Sequence, residues 1–196
     1  MVIIEFTMKN TWLLFILFLV AAVCLSPSCK KKTEDSTDIS LLPAATQTGA
    51  NTAGYLINGQ ALLPKAPPYS GNSVYQCNYI YTKGDYFFTL AFDDETDNAN
   101  IKDVIIATDS LAIAEGQTYN LKNVFLPRNA SGSYVVFNNA GINEYNTNTT
   151  VTGQLHITRF DQSKQIVSGT FYFDAINKSG DIMHVTDGRF DMQYTR

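Results

Sequence analysis

Apolar residues recur at every second position from residue 54 to the C-terminus, in short runs separated by turn residues. In the clearest run, from Val167 to Ala175, odd positions are apolar or glycine, and even positions are Ser, Thr, Tyr or Asp. Because successive side chains of a strand point to opposite faces, this spacing predicts strands with one buried and one wetter face. No stretch of this region shows a helical apolar stripe of three or more turns. The sequence therefore predicts an all-β fold, an antiparallel β-sandwich or flattened β-barrel of roughly eight to ten strands.

Turn residues between these runs predict several hairpins. Asn58-Gly59 lies between two apolar runs, which is the strongest short signal for a two-residue hairpin turn. The other predicted hairpins pair 75–81 with 86–92 and 155–160 with 166–176. Tyr75, Cys77 and Tyr79 share one face of their run, so we expect Cys77 to be a buried, small apolar residue.

The last predicted strand, Ile182 to Tyr194, changes parity along its length. Val185 falls on an odd position, whereas Phe190 and Met192 fall on even ones, and the change occurs near Asp187-Gly188. One extra residue at a glycine is what a β-bulge requires. We therefore predict a bulge there, with the inward face passing from Val185 to Phe190.

The N-terminus contains an uncharged apolar run, Trp12 to Leu25, which is too short to span a membrane and fits the core of a signal peptide. Met8 precedes a short basic leader, and it is the better start of the chain. The segment Leu25 to Cys29 resembles the lipobox of Gram-negative lipoproteins, in which small residues precede a cysteine that is acylated. Cys24 is a rival acceptor with a bulkier preceding residue, and an ordinary secretory signal is the alternative.

This assignment divides the chain into three parts. Residues 1–28 are the signal peptide, 29–53 are the lipidated Cys29 and a Thr/Ser/Ala/Gly-rich flexible tether, and 54–196 are one all-β domain. Once Cys24 leaves and Cys29 takes lipid, Cys77 has no intramolecular partner in an oxidising envelope.

Charge limits the partners. The formal net charge of −4 disfavours binding to nucleic acid. The basic run Lys30 to Lys32 would attract anionic head groups by about 1 kcal/mol per lysine, or would simply be solvated. The chain is thus expected to be a lipid-anchored envelope protein of the outer membrane, with its periplasmic or surface-facing orientation left open.

Candidate chemistry is sparse. His156 and His184 fall on the wetter face of predicted strands, and the sequence has no catalytic triad, zinc spacing or phosphate loop. We therefore predict no enzymatic activity, no cofactor and no metal site. The weak metal candidates are the calcium-like acidic cluster Asp93, Asp94, Glu95 and Asp97, which does not fit the EF-hand spacing and is favoured as a solvated connecting loop.

Residues 131–151 are rich in Asn, Thr and Tyr. Such side chains supply stacking faces and amide hydrogen bonds for sugars or peptides, but they equally suit long exposed loops. The weak binding candidates of this region are Tyr134, Asn138, Asn139 and Tyr145.

Three segments carry a resemblance to a known family: Thr46 to Thr52, Val167 to Phe171 and Thr186 to Asp191. With them the chain resembles a family of uncharacterised, lipid-anchored β-domains of Gram-negative bacteria. The resemblance implies an extracytoplasmic all-β lipoprotein without an assigned activity.

Three functions remain open, and the first is a non-catalytic binding or scaffold module that takes a glycan or an envelope protein. The alternative is a carrier of a small apolar ligand inside a barrel, and a glycan-directed hydrolase is a distant third.

Overall fold

The computed structural model describes residues 38–196 except Tyr69, Asn72 and Phe125. Segments in which apolar and polar residues alternate form strands throughout this part of the chain. These residues contain eleven strands, slightly more than predicted. A 3-10 helix, Asp38–Leu41, precedes β1 (Thr52–Ile57), β2 (Gln60–Leu62), β3 (Tyr75–Thr82), β4 (Asp85–Asp94), β5 (Asn100–Asp109), β6 (Thr118–Lys122), β7 (Asn129–Asn138), β8 (Gly141–Asn146), β9 (Gly153–Asp161), β10 (Ile166–Ile176) and β11 (Ile182–Gln193). The predicted all-β class is confirmed. Within the described residues, no helix is long and apolar enough to cross a membrane.

The strands form one mixed sheet in the order β2-β1-β11-β10-β9-β6-β7-β5-β4-β3, and β8 pairs with β7 and β10. Among the described strands, the pairing is antiparallel as predicted, except that β6 and β7 are parallel. Their overlap is limited to Leu121 with Ala130 and Lys122 with Ser131. The C-terminal end of β6 therefore lies beside the start of β7, and a short connection is enough to join the two parallel strands.

The sheet curls back on itself, as a flattened barrel requires. After β11, the Thr195 N–H donates to the Cys77 carbonyl (2.9 Å) and the Tyr79 N–H donates to the Thr195 carbonyl (2.8 Å). At the C-terminal end of β4, the Lys65 N–H donates to the Asp93 carbonyl (3.0 Å). These few bonds join opposite parts of the sheet.

Large aromatic side chains fill the space that the sheet encloses. Tyr55, Phe88, Phe92 and Phe173 are fully buried, and each contributes about 1.5–3 kcal/mol by leaving water. Cys77 lies among them and is buried, as predicted.

The predicted hairpins are confirmed. Asn58 and Gly59 join β1 to β2 with φ of 49° and 83°, and Lys83 and Gly84 join β3 to β4 with φ of 53° and 92°. Two consecutive positive φ values match the right-handed twist of the flanking strands, which explains the preference for Asn-Gly.

The predicted bulge in β11 is also confirmed. Along β10, Phe171 pairs with Gly188 and Phe173 with Val185, so β11 contains one extra residue. Val185 and Phe190 are both buried, on the two sides of the bulge. The inward face therefore changes parity where the sequence indicated.

The domain begins earlier than predicted. The sequence predicts a flexible tether over 29–53, but Leu42 is buried and residues 46–50 wrap around Asp191. The Asp191 carboxylate accepts hydrogen bonds from Thr46 Oγ1 (2.6 Å), Gly49 N (2.7 Å) and Ser168 Oγ (2.8 Å). Small polar residues that resemble a linker in sequence thus donate hydrogen bonds to the buried carboxylate of Asp191. The signal peptide, Met8, Cys24 and Cys29 lie outside the described residues.

Candidate functional site

A cleft of about 790 Å³ opens between β3 and the end of β11, where the sheet is joined to itself by the Thr195 bonds. Its volume is within the range of small-molecule sites. The lining residues are Asn51, Ser73, Tyr75, Gln76, Cys77, Asn78, Gln165, Met192, Gln193, Tyr194, Thr195 and Arg196.

The floor of this cleft is apolar. Cys77, Met192 and Tyr194 are buried, and Tyr75 is half-buried with its ring edge-on to Phe92 at 6.2 Å between centroids. Burial raises the pKa of the Cys77 thiol to about 12. The thiol is therefore neutral at physiological pH, and the floor offers packing rather than charge.

The rim of the cleft is made of amides. The side chains of Gln76, Gln165 and Gln193 are exposed and make no hydrogen bond to any other described residue. Each offers one acceptor and two donor hydrogens. Three free primary amides therefore surround an apolar floor.

Two further amides hold the rim in place. Asn51 Oδ1 accepts from the Gln193 N–H (2.8 Å), and Asn78 Oδ1 accepts from Thr195 Oγ1. Arg196 is the one charged residue that lines the cleft among the described residues, and its guanidinium donates to the Gln162 carbonyl. The cleft consequently suits an uncharged ligand with hydroxyl or amide groups.

The backbone edges beside the cleft are already occupied. The Cys77 carbonyl and the Tyr79 N–H bind Thr195, and the Tyr75 carbonyl accepts from Ser73 Oγ (2.9 Å). A peptide that added as an extra strand would need such groups free. The arrangement favours a ligand that is recognised by side chains.

Local backbone conformation positions the rim. Asn51 and Gln165 have φ of 54° and 56°, so the chain turns sharply just before β1 and just before β10. Asp161 fixes the second turn, since its Oδ1 accepts from Ser163 N and Lys164 N (both 3.1 Å). Gln76 and Gln193 are strand residues on the opposing walls.

The binding candidates of residues 131–151 lie elsewhere. Tyr134 and Tyr145 face each other on β7 and β8, both are buried, and their ring centroids are 5.9 Å apart. The two tyrosines are therefore buried between the strands of this hairpin, and they neither offer exposed stacking faces nor lie in a long exposed loop. Asn138 and Asn139 are exposed at the hairpin turn and do not line the cleft.

The acidic cluster spans the end of β4 and the connection to β5, because Asp93 and Asp94 are the last two residues of β4 and only Glu95 and Asp97 lie in the loop. Asp94 Oδ1 accepts from Thr96 Oγ1 (2.6 Å), and Asp97 Oδ1 accepts from the Ala99 N–H (2.9 Å). Asp93 and Glu95 flank these turns, and within the described residues no three His, Cys, Asp or Glu side chains are grouped to hold a metal. The carboxylates of Asp94 and Asp97 therefore stabilise the turn.

One carboxyl pair was not anticipated. Asp93 lies directly opposite Asp103 on β4 and β5, and burial raises the pKa of Asp103 to about 8, with a further contribution from the hydrogen bond and charge of Asp93. The strands bring these residues together, and their spacing in the sequence alone does not reveal it.

Both histidines occupy strand positions outside the core, as predicted. His184 is exposed, and its Nδ1 lies 2.7 Å from Asp174 Oδ1. His156 Nδ1 lies 2.9 Å from Thr118 Oγ1. Neither histidine lines the cleft.

None of the binding candidates predicted from the sequence lines the cleft, and its three glutamines were not among them. Gln76, Gln165 and Gln193 are far apart in the chain and sit in ordinary strand or turn contexts. No local signal could have grouped them, because the grouping depends on how the sheet curls.

The fold and the cleft define an all-β domain with a cleft that is lined by side chains. A family model described as "Domain of unknown function (DUF6252)" matches residues 95–192, half of the chain, and the chain belongs to this family. The matched region runs from the β4–β5 loop into β11, so β3 and its wall of the cleft lie outside it. Comparison with curated proteins and with solved structures gave no match.

Proposed function

We propose that this protein is a lipoprotein of the Gram-negative cell envelope, exported by residues 1–28 and acylated at Cys29. The support is the apolar run that is too short for a membrane span, together with the small residues before Cys29. Stable anchoring needs more than one acyl chain, which lipoprotein processing supplies.

Metabolic labelling with a tagged fatty acid tests the anchor. The wild-type protein is expected to incorporate label, and Cys29→Ser to lose it, while Cys24→Ser keeps it. Label that persists in Cys29→Ser and disappears in Cys24→Ser would move the anchor to Cys24.

We further propose that the domain is a non-catalytic binding module whose cleft takes a neutral glycan. The observation that carries this proposal is the set of three free amides, Gln76, Gln165 and Gln193, around an apolar floor. Sugars offer many hydroxyl groups to amide donors and acceptors, and their C–H faces pack against apolar and aromatic side chains such as Tyr75.

The occupied backbone edges weigh against a peptide ligand, as described above. The interior weighs against the carrier alternative, since Tyr55, Phe92 and Phe173 are fully buried and fill the space that an apolar ligand would need. A hydrolase would need reactive carboxyl groups in the cleft, and no Asp or Glu lines it among the described residues.

Calorimetric titration with a panel of neutral oligosaccharides tests the glycan proposal. Binding to one class is expected, and Gln76→Leu or Gln193→Leu should each weaken it about fivefold, which corresponds to about 1 kcal/mol per lost hydrogen bond. Gln117→Leu is the matched control, because Gln117 is exposed and lies outside the cleft.

The outcomes separate the alternatives. Binding that Gln76→Leu and Gln193→Leu leave unchanged would remove the cleft as the site. Cleavage of the recovered oligosaccharide would overturn the non-catalytic assignment and favour the hydrolase.

We propose the outer membrane as the location. Protease treatment of intact cells, followed by mass spectrometry of released fragments, distinguishes its two faces. Release of fragments from residues 38–196 indicates the surface, and protection until the envelope is opened indicates the periplasm.

A further inference from the structure

A second pocket, of about 680 Å³, lies between the β1–β2 hairpin and the adjoining ends of β4 and β5. Its lining combines Lys65, Lys102, Asp94 and Tyr134 with an apolar wall that includes Leu63. The pocket is separate from the amide-rimmed cleft, because no residue lines both.

Tyr134 supplies a buried donor to this pocket. The residue is 4% exposed, and its hydroxyl has no hydrogen-bond partner among the described residues. Burial raises the pKa of Tyr134 to about 12, helped by Tyr145 and Asp94, so the hydroxyl keeps its proton. Tyr134 lines the pocket, where its hydroxyl group can donate a hydrogen bond to a ligand.

The charged groups favour an anion. Two lysines, Lys65 and Lys102, and one carboxylate, that of Asp94, line the pocket, and Lys102 Nζ is 3.9 Å from Asp94 Oδ2. Asp94 is also engaged by Thr96, whose Oγ1 donates to it at 2.6 Å. The remaining positive charge and the Tyr134 hydroxyl match the oxygens of a phosphate group.

An exposed apolar patch adjoins the same rim. Leu63, Leu41 and Ile39 are 44%, 61% and 40% exposed. Ile39 and Leu41 belong to the 3-10 helix, which contacts β2 through the Ala61 N–H bond to Asp38, and Leu63 directly follows β2. Leu63 belongs both to this patch and to the pocket lining.

The described part of the chain starts at this face. Asp38, the first described residue, accepts a hydrogen bond from the Ala61 N–H of β2 (3.4 Å). Eight residues separate it from Cys29 in the sequence, and they include Lys30, Lys31 and Lys32. Their covalent reach is at most about 30 Å, so the bilayer that holds the acyl chains is close to the patch.

We propose that this face docks on the bilayer, with Ile39, Leu41 and Leu63 at the lipid surface and the pocket around the phosphate of an anionic phospholipid. The inference deepens the membrane anchorage proposed above and rests on it. The tether would bring the domain to the membrane, and this face would fix its orientation.

Fluorescent labelling of the full processed protein in vesicles tests the orientation. A cysteine introduced by Leu41→Cys carries an environment-sensitive dye, and Tyr81→Cys is the matched control. Tyr81 is 63% exposed and pairs with Tyr86 near the start of β4, whereas the pocket lies at the other end of β4. Cys77 is buried and should remain unlabelled.

In vesicles containing phosphatidylglycerol, the dye at position 41 is expected to shift to shorter wavelength and to be quenched by brominated lipid. The dye at position 81 should do neither. Lys102→Gln should weaken this insertion about fivefold, from the loss of about 1 kcal/mol of attraction per charge, and Tyr134→Phe should weaken it without disturbing the core.

Equal quenching at positions 41 and 81 would overturn the proposal, as would insertion that Lys102→Gln and Tyr134→Phe leave unchanged. Binding of soluble glycerol phosphate without any insertion into vesicles would assign the pocket to a free phosphate ligand. Intact mass of the same sample reports acylation, so an unacylated protein that still inserts would refute the anchor while supporting the docking face.

Discussion

Asp191 and Asp103 are carboxyl groups on strands of the same sheet, yet their surroundings shift their pKa values in opposite directions. Burial raises the pKa of Asp191, but donors from Thr46, Thr48, Ser168 and Gly49 outweigh it and hold the pKa well below its usual range. Against these four donors, Asp103 has the backbone N–H of Phe92, and its Oδ1 is buried without a partner among the described residues. The difference is decided by how many N–H and O–H groups reach each carboxylate.

The Asp191 site predicts acid sensitivity. A depressed pKa in the folded state adds stability above the unfolded value, and this stability is lost as the pH falls below about 4. Asp191→Ala should lower the free energy of unfolding at pH 7 by about 3 kcal/mol, because several donors lose a charged acceptor. Urea denaturation from pH 3 to pH 7 measures it. Asp85→Ala, at an exposed position next to a turn, should lower the free energy of unfolding far less. Equal losses in the two variants would contradict a stabilising role of the hydrogen bonds to Asp191.

The Asp103 site predicts the opposite dependence. A raised pKa in the folded state adds stability at low pH, and this stability is lost as the pH rises from about 4 through about 8. Asp103→Asn should therefore raise the melting temperature at pH 8 and change it little near pH 4. Thermal denaturation across this range is the measurement, with Asp85→Asn as control. A variant that is destabilised at pH 8 would show that the ionised carboxylate is needed.

At the scale of elements, the β11 bulge links a glycine to an aromatic ring. A Cβ placed on Gly188 would lie 2.4 Å from Phe171 Cε2, closer than atoms can approach. The bulge brings this backbone against the ring because one extra residue lets β11 change its inward face. The glycine is therefore required by packing rather than by chain flexibility.

Gly188→Ala should destabilise the protein by about 1–3 kcal/mol through overpacking. Gly180→Ala is the control: it has open space but a φ of 91°, so it should cost only about 1 kcal/mol of backbone strain. The double variant with Phe171→Leu should recover part of the Gly188→Ala loss in chemical denaturation. No recovery would indicate that the ring is not the cause.

At the scale of the whole molecule, closure of the sheet depends on few bonds. Thr195 joins the end of β11 to β3, through its N–H to Cys77 and its carbonyl to Tyr79. The cleft lies where the two walls diverge beside this junction. Closure and the candidate site are therefore coupled.

Thr195→Pro should remove one closing bond, cost about 1 kcal/mol and speed hydrogen exchange at the Tyr79 amide. Thr195→Ala keeps the backbone donor and is the control. Exchange at Tyr79 that matches wild type in Thr195→Pro would show that the junction is not what protects it.

Strands, turns and the bulge could be predicted where they depend on residues that are adjacent in the chain. The Asn58-Gly59 turn and the parity change near Gly188 were readable because each depends on residues adjacent in the chain. The start of the domain was misplaced because small polar residues suit both a linker and the turn around Asp191. Tyr134 and Tyr145 were misplaced because tyrosines between asparagines do not indicate which face of a strand is buried.

By itself the sequence determined the all-β class, the main hairpins, the bulge and the buried thiol, because strand alternation and turn conformation are local properties. Only the tertiary structure decided that Gln76, Gln165 and Gln193 surround one cleft, that Asp93 meets Asp103, and that Tyr134 opens into a second pocket. Each of these depends on strands distant in the chain lying side by side, or on the way the sheet curls. Such proximity is set by packing of the whole core, which no short window of sequence contains.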